Sequence, residues 1–504
     1  MNDAKKSFQT ICQQVREIQL LQSTQALLEW DQQTYLPAQG GEYRAEQVSF
    51  LAGEIHRRKS SPKLKEHLEQ LADSNWLQSA NSDEQATVRQ LKRTLDKASR
   101  LPKRLVEELA RACSLGQQVW VEARRTKDFQ RFVPALEQIV RLKREQAAAY
   151  ALGGLPYDAL MDDYEQGAKT GPISEMFSAL VAELVPLLRK ISEATQRPQV
   201  EILHRHYPQA AQAALGKLAA ANIGFDFQRG RLDTTHHPFC TEIGPNDCRI
   251  LTRYDENFFS SAFFGTLHEA GHGIYEQGLR SEYYGLPPGQ YCSLGLHESQ
   301  SRLWENLVGR SLGFWQHFWP EATRLFPEAL QSTSVEEFWR AVNSSAPSLI
   351  RVEADEATYN LHIALRFELE SALINGGLEV KDLPDAWSDK YQQYLNLRPA
   401  DDAEGVLQDI HWSAGLFGYF PTYTLGNLYA SQLFAAAERD LGPLEPQFAR
   451  GEFVPLLGWL RKHVHELGQT KTATEIVEAA SGQPVSQAAL ASHLNHKFGL
   501  VYRF

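Results

Sequence analysis

Apolar residues recur at helical spacing through most of the chain, and that pattern predicts a mostly α protein. Leu105, Val106, Leu109, Ala112 and Cys113 form one stripe, with Glu and Arg between them. This is the signature of an amphipathic helix with a solvated outer face. Comparable stripes cover residues 5–30, 43–57, 84–98 and 129–151. Pro102, Gly153–Gly154–Leu155–Pro156 and Gly171–Pro172 punctuate them. Further helices are predicted over about 293–316, 347–374 and 422–439, the second with Pro347 early and Gly376–Gly377 at its end.

The pattern changes over residues 232–254. Thr234–Thr235–His236–His237–Pro238–Phe239 and Ile250–Leu251–Thr252–Arg253–Tyr254 are rich in β-formers, and Gly244–Pro245–Asn246–Asp247 carries turn chemistry between them. A small hairpin is predicted here, with the strand through Pro238 at an edge because proline cannot donate to a ladder. Helix resumes after Asp255–Glu256–Asn257, where Asp255 or Asn257 can cap.

The 504 residues show no low-complexity linker and no internal repeat. One continuous body over 1–504 is expected, with a mainly helical part at 1–230 and a second part at 231–504. Lys+Arg total 51 and Asp+Glu 62, a formal charge of −11. That balance argues against a polyanion-binding surface, so no nucleic-acid partner is expected. No apolar run of membrane-spanning length stands out, and Met1–Lys6 leads into polar residues rather than an apolar signal core. Five widely spaced cysteines without a Cys-x-x-Cys pair fit a reducing, cytoplasmic setting.

Residues 268–272 read His-Glu-Ala-Gly-His in a segment, Phe258–Gly278, with apolar Phe259, Phe263, Leu267 and Ile274. One helical turn separates His268 from His272, so both imidazoles can address one metal ion, with Glu269 beside them. Two imidazoles suit Zn²⁺, and a third ligand leaves a fourth position open. Glu298, in Leu296–His297–Glu298–Ser299, is the best third ligand, on a helix that Ser293 can cap. His297 is the rival.

With these motifs in view, the chain resembles the carboxypeptidase Taq family of metallocarboxypeptidases. The resemblance runs in order through Leu28–Tyr35, His237–Pro238–Phe239, Asp247–Cys248–Arg249, His268–His272, His297–Gln300, Ile350–Asp355, Gly405–Trp412 and Gly418–Tyr423. One departure is Leu251 where the family has Thr, with Thr252 one place later. The resemblance implies a two-lobed helical body with a deep cleft, similar to neurolysin, and a small sheet beside the metal helix. It also implies one divalent ion per chain (Zn²⁺, with Co²⁺ a possibility), a homodimer, and removal of C-terminal residues from peptides with broad specificity. An oligopeptidase on the same scaffold and a non-catalytic peptide-binding relative are the alternatives.

Amide hydrolysis supplies roles for the remaining residues. Glu269 is suited to general acid/base work. His411 and Tyr423 are candidates to donate to the oxyanion, in or beside a segment that Gly415 and Gly418 loosen. A strand at His237–Phe239 can dock an extended substrate by β-addition, with His237 contacting the substrate near the metal. A free α-carboxylate calls for a planar guanidinium, and Arg351 and Arg249 are the candidates. Arg351 and Asp355, four apart on a predicted helix, can instead form an intrahelical pair. Cys240 and Cys248, flanking the turn, are the cysteines to suspect first if any pair exists.

Overall fold

The computed structural model describes residues 2–150 and 153–504, so Ala151, which closes one predicted stripe, lies outside the described residues. Helices dominate, with one three-stranded sheet, as the periodicity predicts. Two compact units form, each from three stretches of chain. The first comprises Met1–Asp96, Gln199–Val342 and Leu433–Pro484; the second comprises Lys97–Pro198, Asn343–Gln432 and Val485–Phe504. The helix predicted over 422–439 is present as Pro421–Leu441.

In the first unit the helix Phe259–Gly278 runs through the core. Phe259 and Phe263 lie against Trp315, and Phe259 also meets Phe338, with ring centroids 5.1–5.8 Å apart. Each such buried ring contributes about 1.5–3 kcal/mol by area alone, so this helix is a rigid platform. Neither predicted cap closes its start. The residue before it is Phe258, and Asp255 accepts from Asn257 N at 2.8 Å in the turn ahead.

The β region is larger than a hairpin. Strands β1 (Gly230–Thr234), β2 (Cys240–Gly244) and β3 (Asp247–Thr252) lie in the order β1-β3-β2. β2 and β3 form the expected antiparallel hairpin, and β1 runs parallel to β3. Pro245 and Asn246 make the turn, and Asn246 takes a left-handed φ of 68° that its short polar side chain tolerates. His237–Pro238–Phe239 is not a strand. It is the bend between β1 and β2, and Phe239 touches the sheet through its carbonyl, which accepts from Leu251 N.

The predicted helix 293–316 is interrupted. Leu294–Arg302 is α-helical and capped as expected, Ser293 Oγ accepting from Leu296 N at 3.1 Å. It then widens into a π turn over Leu303–Val308, and helix resumes at Leu312–Leu325.

The second unit is organised on the helix Glu356–Asn375, most of whose residues are buried. It starts nine residues later than Pro347 suggests, because Asp355 is its cap, accepting from Ala357 N and Thr358 N. Gly376 ends it with a φ of 87°. Helix Thr170–Glu193 packs on it, with Phe177 edge-on to Phe367 at a ring-centroid distance of 5.1 Å. That helix is long and apolar enough, by length and composition, to cross a membrane, a property the sequence reading did not register.

Candidate metal centre and active site

Helix Phe259–Gly278 presents His268 and His272 from successive turns, and helix Leu294–Arg302 brings Glu298 to them. Gly271 makes this approach possible. A Cβ there would sit 2.6 Å from both Gln300 O and Ser301 Cα, so a larger residue would push the helices apart. Glu298 Oε2 then lies 3.8 Å from His268 Nε2 and 3.6 Å from His272 Nε2. All three atoms fall within 4.8 Å of one another.

Those distances are too long for hydrogen bonds. The far side of each ring explains which atoms face inward. His272 Nδ1 is 3.1 Å from the carbonyl oxygen of His297, and His268 Nδ1 is 2.9 Å from Glu305 Oε2. Both partners accept, so each Nδ1 carries the proton and each Nε2 presents its lone pair. Three acceptor atoms therefore converge, and a divalent cation with N and O ligands satisfies them. Burial, reinforced by His297 and His268, holds His272 well below its ordinary pKa, the neutral form a ligand needs.

Glu269 is buried on the same helix, and burial pushes its carboxyl up to about 7. His297, the rival ligand, is committed elsewhere: its Nε2 is 2.8 Å from Glu276 Oε1. Arg302 and Glu305 complete the surroundings. Arg302 Nε donates to Glu298 Oε1 at 2.7 Å, and Arg302 Nη1 donates to Glu305 Oε2 at 3.1 Å. Glu305 is buried, which alone would raise it, but Arg302, His268 and Arg310 bring it down to about 2.

The second unit holds a different cluster. Asp409 Oδ1 accepts from Arg351 Nε at 3.0 Å and Nη2 at 2.8 Å, and Oδ2 accepts from Arg366 Nε at 2.7 Å. Gln408 Oε1 accepts from Arg366 Nη2 and from Arg351 N. His411 follows, its Nε2 3.4 Å from Tyr423 Oη. Its Nδ1 is buried with no hydrogen-bond partner. Burial pushes His411 down to about 4, with Arg351 and Arg366 adding to the effect and Asp409 opposing it. Glu370 anchors this segment, accepting from Trp412 Nε1 at 2.8 Å and Gly418 N at 3.1 Å. Gly418 has a φ of 87°, and a Cβ there would meet Met161 N at 2.7 Å.

The sequence matches the carboxypeptidase Taq (M32) metallopeptidase family over residues 10–498. The chain belongs to this family. Thermostable carboxypeptidase 1 of Thermus thermophilus is 46% identical to it, covering 98% of this chain and 99% of the relative. The crystal structure of an M32 carboxypeptidase from Deinococcus radiodurans superposes with a TM-score of 0.96 at 40% identity, over 99% of this chain and 100% of that one. Metallocarboxypeptidase 1 of Trypanosoma cruzi follows with a TM-score of 0.91 at 30% identity, over 98% and 99%. Membership makes this chain a metallopeptidase of the carboxypeptidase type, and the His268–His272–Glu298 cluster is its candidate metal site.

The other family motifs land unevenly. Arg351 does not pair with Asp355. Residues 344–355 are not α-helical, Asp355 is spent on its cap, and Arg351 reaches across sequence to Asp409. Arg249 is likewise committed: its Nε and Nη2 grip both oxygens of Asp247 at 2.8 and 2.7 Å, and its guanidinium lies 4.1 Å from the Trp30 ring centre. His237 is exposed. Leu251, the departure from the M32 pattern, packs in a core cluster with Trp30 and Ile243, which a threonine hydroxyl would make polar. Thr252, one place on, is buried with Oγ1 3.3 Å from the carbonyl oxygen of Ala262. Cys240 and Cys248 are free thiols with their sulfurs 3.6 Å apart. Sequence reasoning missed Arg302 and Glu305, although Glu298, Arg302 and Glu305 stand four and three apart, the spacing at which helical side chains meet.

Proposed function

We propose that this M32 chain is a zinc carboxypeptidase that removes residues singly from the C-terminus of peptides, with His268, His272 and Glu298 as ligands. The observation that carries this is the convergence of three ligand atoms, with the ring partners at Nδ1 turning both histidine Nε2 atoms towards Glu298. Two imidazoles and one carboxylate are a familiar catalytic zinc set. When bound, such an ion supplies Lewis acidity to the scissile carbonyl and to water.

The chain's own residues do the rest. Glu269 takes a proton from the attacking water as the C–O bond forms, and hands it to the amine nitrogen as the C–N bond breaks. His411 and Tyr423 are assigned to stabilising the oxyanion. The support is that His411, held neutral by burial, stands 3.4 Å from the Tyr423 hydroxyl on a segment that Glu370 ties down.

Mass spectrometry of a mixed peptide set tests the reaction class. Stepwise loss of single C-terminal residues from free-acid peptides is expected, with amidated peptides poorly cut. Efficient internal cleavage of amidated peptides overturns it. Glu298→Ala should lose most of its metal by atomic emission; full occupancy would move the third ligand elsewhere.

A further inference from the structure

The two oxygens of Glu298 are treated differently. Oε2 faces the imidazole nitrogens of His268 and His272. Oε1 accepts from Arg302 Nε at 2.7 Å, one helical turn on. Ser301 Oγ donates to Glu298 O at 2.8 Å and lies 3.3 Å from Oε2. Arg302 also reaches Glu305 Oε2 at 3.1 Å, the oxygen that lies 2.9 Å from His268 Nδ1. One guanidinium therefore touches a carboxylate in the ligand cluster and the carboxylate that orients a histidine of that cluster.

We propose that Arg302 is a positioning residue that restricts Glu298 to binding the metal through Oε2 alone. A carboxylate can bind an ion through one oxygen or both. With two histidines, a two-oxygen Glu298 would supply four protein bonds, so water or substrate could join only as a fifth ligand. A charge-assisted hydrogen bond to Oε1 competes with the ion for that oxygen and withdraws negative charge from the ligand. Both effects weaken metal binding while keeping a coordination position open. A residue that merely propped Glu298 in place would do the opposite, because losing a prop weakens the site. The sign of the change separates the two roles.

The inference rests on the reading of His268, His272 and Glu298 as ligands. The test uses the full-length chain, Co²⁺ as the probe, and the variants Arg302→Met and Arg302→Lys. Affinity is read by competition with a chelator, and coordination number by the visible spectrum, which is intense for four-coordinate Co²⁺ and weakens as ligands are added. Arg302→Met should bind Co²⁺ more tightly by about tenfold, the size of effect a neighbouring cation exerts on a carboxylate. Its visible band should weaken relative to wild type. Arg302→Lys, a point charge without the fork, should fall between the two, and it carries the test if Arg302→Met does not fold. Equal or weaker binding with a wild-type spectrum overturns the proposal and leaves the ligand reading standing. A wild-type chain that takes up no Co²⁺ overturns both.

Discussion

Glu298 and Asp409 are both carboxylates largely withdrawn from solvent and set among basic side chains, yet their surroundings differ in kind. Around Asp409 both oxygens are closed by arginine, Arg351 and Arg366 donating at 2.7–3.0 Å, with His411 Nδ1 further off at 3.8 Å from Oδ1. Around Glu298 one oxygen is closed by Arg302 and the other faces imidazole nitrogens at 3.6 and 3.8 Å. Arginine cannot give up its proton, so the first arrangement is complete as it stands. Histidine can present a lone pair, so the second is incomplete until a cation enters. The distinction between an ion cluster and a ligand set thus rests on residue type and on contacts of 3.6–3.8 Å in place of 2.7–3.0 Å.

The largest test breaks the closed cluster. Asp409→Asn leaves Arg351 and Arg366 buried without a counter-charge and should destabilise the chain by about 3–5 kcal/mol, read by urea denaturation. A loss below about 1 kcal/mol would mean that water or another group can replace Asp409. Next comes the open cluster's neighbour. Glu269→Gln should keep its metal and fold but lose roughly 10²-fold or more in kcat. Near-normal turnover by a variant with verified metal would remove Glu269 from proton transfer.

Arg351 sharpens the comparison from the other side. Because its Nε and Nη2 are spent on Asp409, Arg351→Ala should depress cleavage of free-acid and amidated peptides by similar factors. A selective loss on free-acid peptides would show instead that its guanidinium is redirected to the substrate carboxylate.

The smallest effect is in pH. Burial alone would raise Asp409, but Arg366 and Arg351 hold it well below its ordinary 3.8. A depressed acid contributes stability that is fully present above its unfolded pKa and is lost as pH falls towards its folded one. The stability gap between wild type and Asp409→Asn should therefore be constant from pH 7 to 5. It should narrow by up to about 1.4 kcal/mol for each pH unit below about 4. A gap that narrows already near neutrality would contradict the ion-pair account.

How much of this was legible in the sequence follows from range. His268, Glu269 and His272 are local, and one helical turn dictates their geometry. Glu298 was reachable because its own helix has a clear cap in Ser293 and because two imidazoles with one carboxylate are a familiar zinc set. The alternative pairing of Arg351 with Asp355 failed because the arginine's salt-bridge partner, Asp409, lies far along the chain and the nearer carboxylate, Asp355, had a competing use as a helix cap. Pro347 read as a helix start, but Asp355 offers two accepted backbone hydrogen bonds and sets the start there. The parallel pairing of β1 with β3 left no local mark, since turn chemistry reports hairpins and not crossovers. Leu251 makes sense only once its face of β3 is known to meet Trp30.

Gly271 gives the centre a dimension that none of its ligands sets. It touches no ligand atom, yet the missing Cβ lets the second helix come as close to the first as backbone contact permits. Ions differ mainly in radius, with ligand bonds of about 2.0–2.1 Å for zinc to nitrogen and about 2.3–2.6 Å for calcium to oxygen. Two helices whose separation is set by a glycine act as a caliper for that radius. A side chain at position 271 would widen that separation, so the backbone as well as the ligand side chains sets how far Glu298 stands from the two histidines.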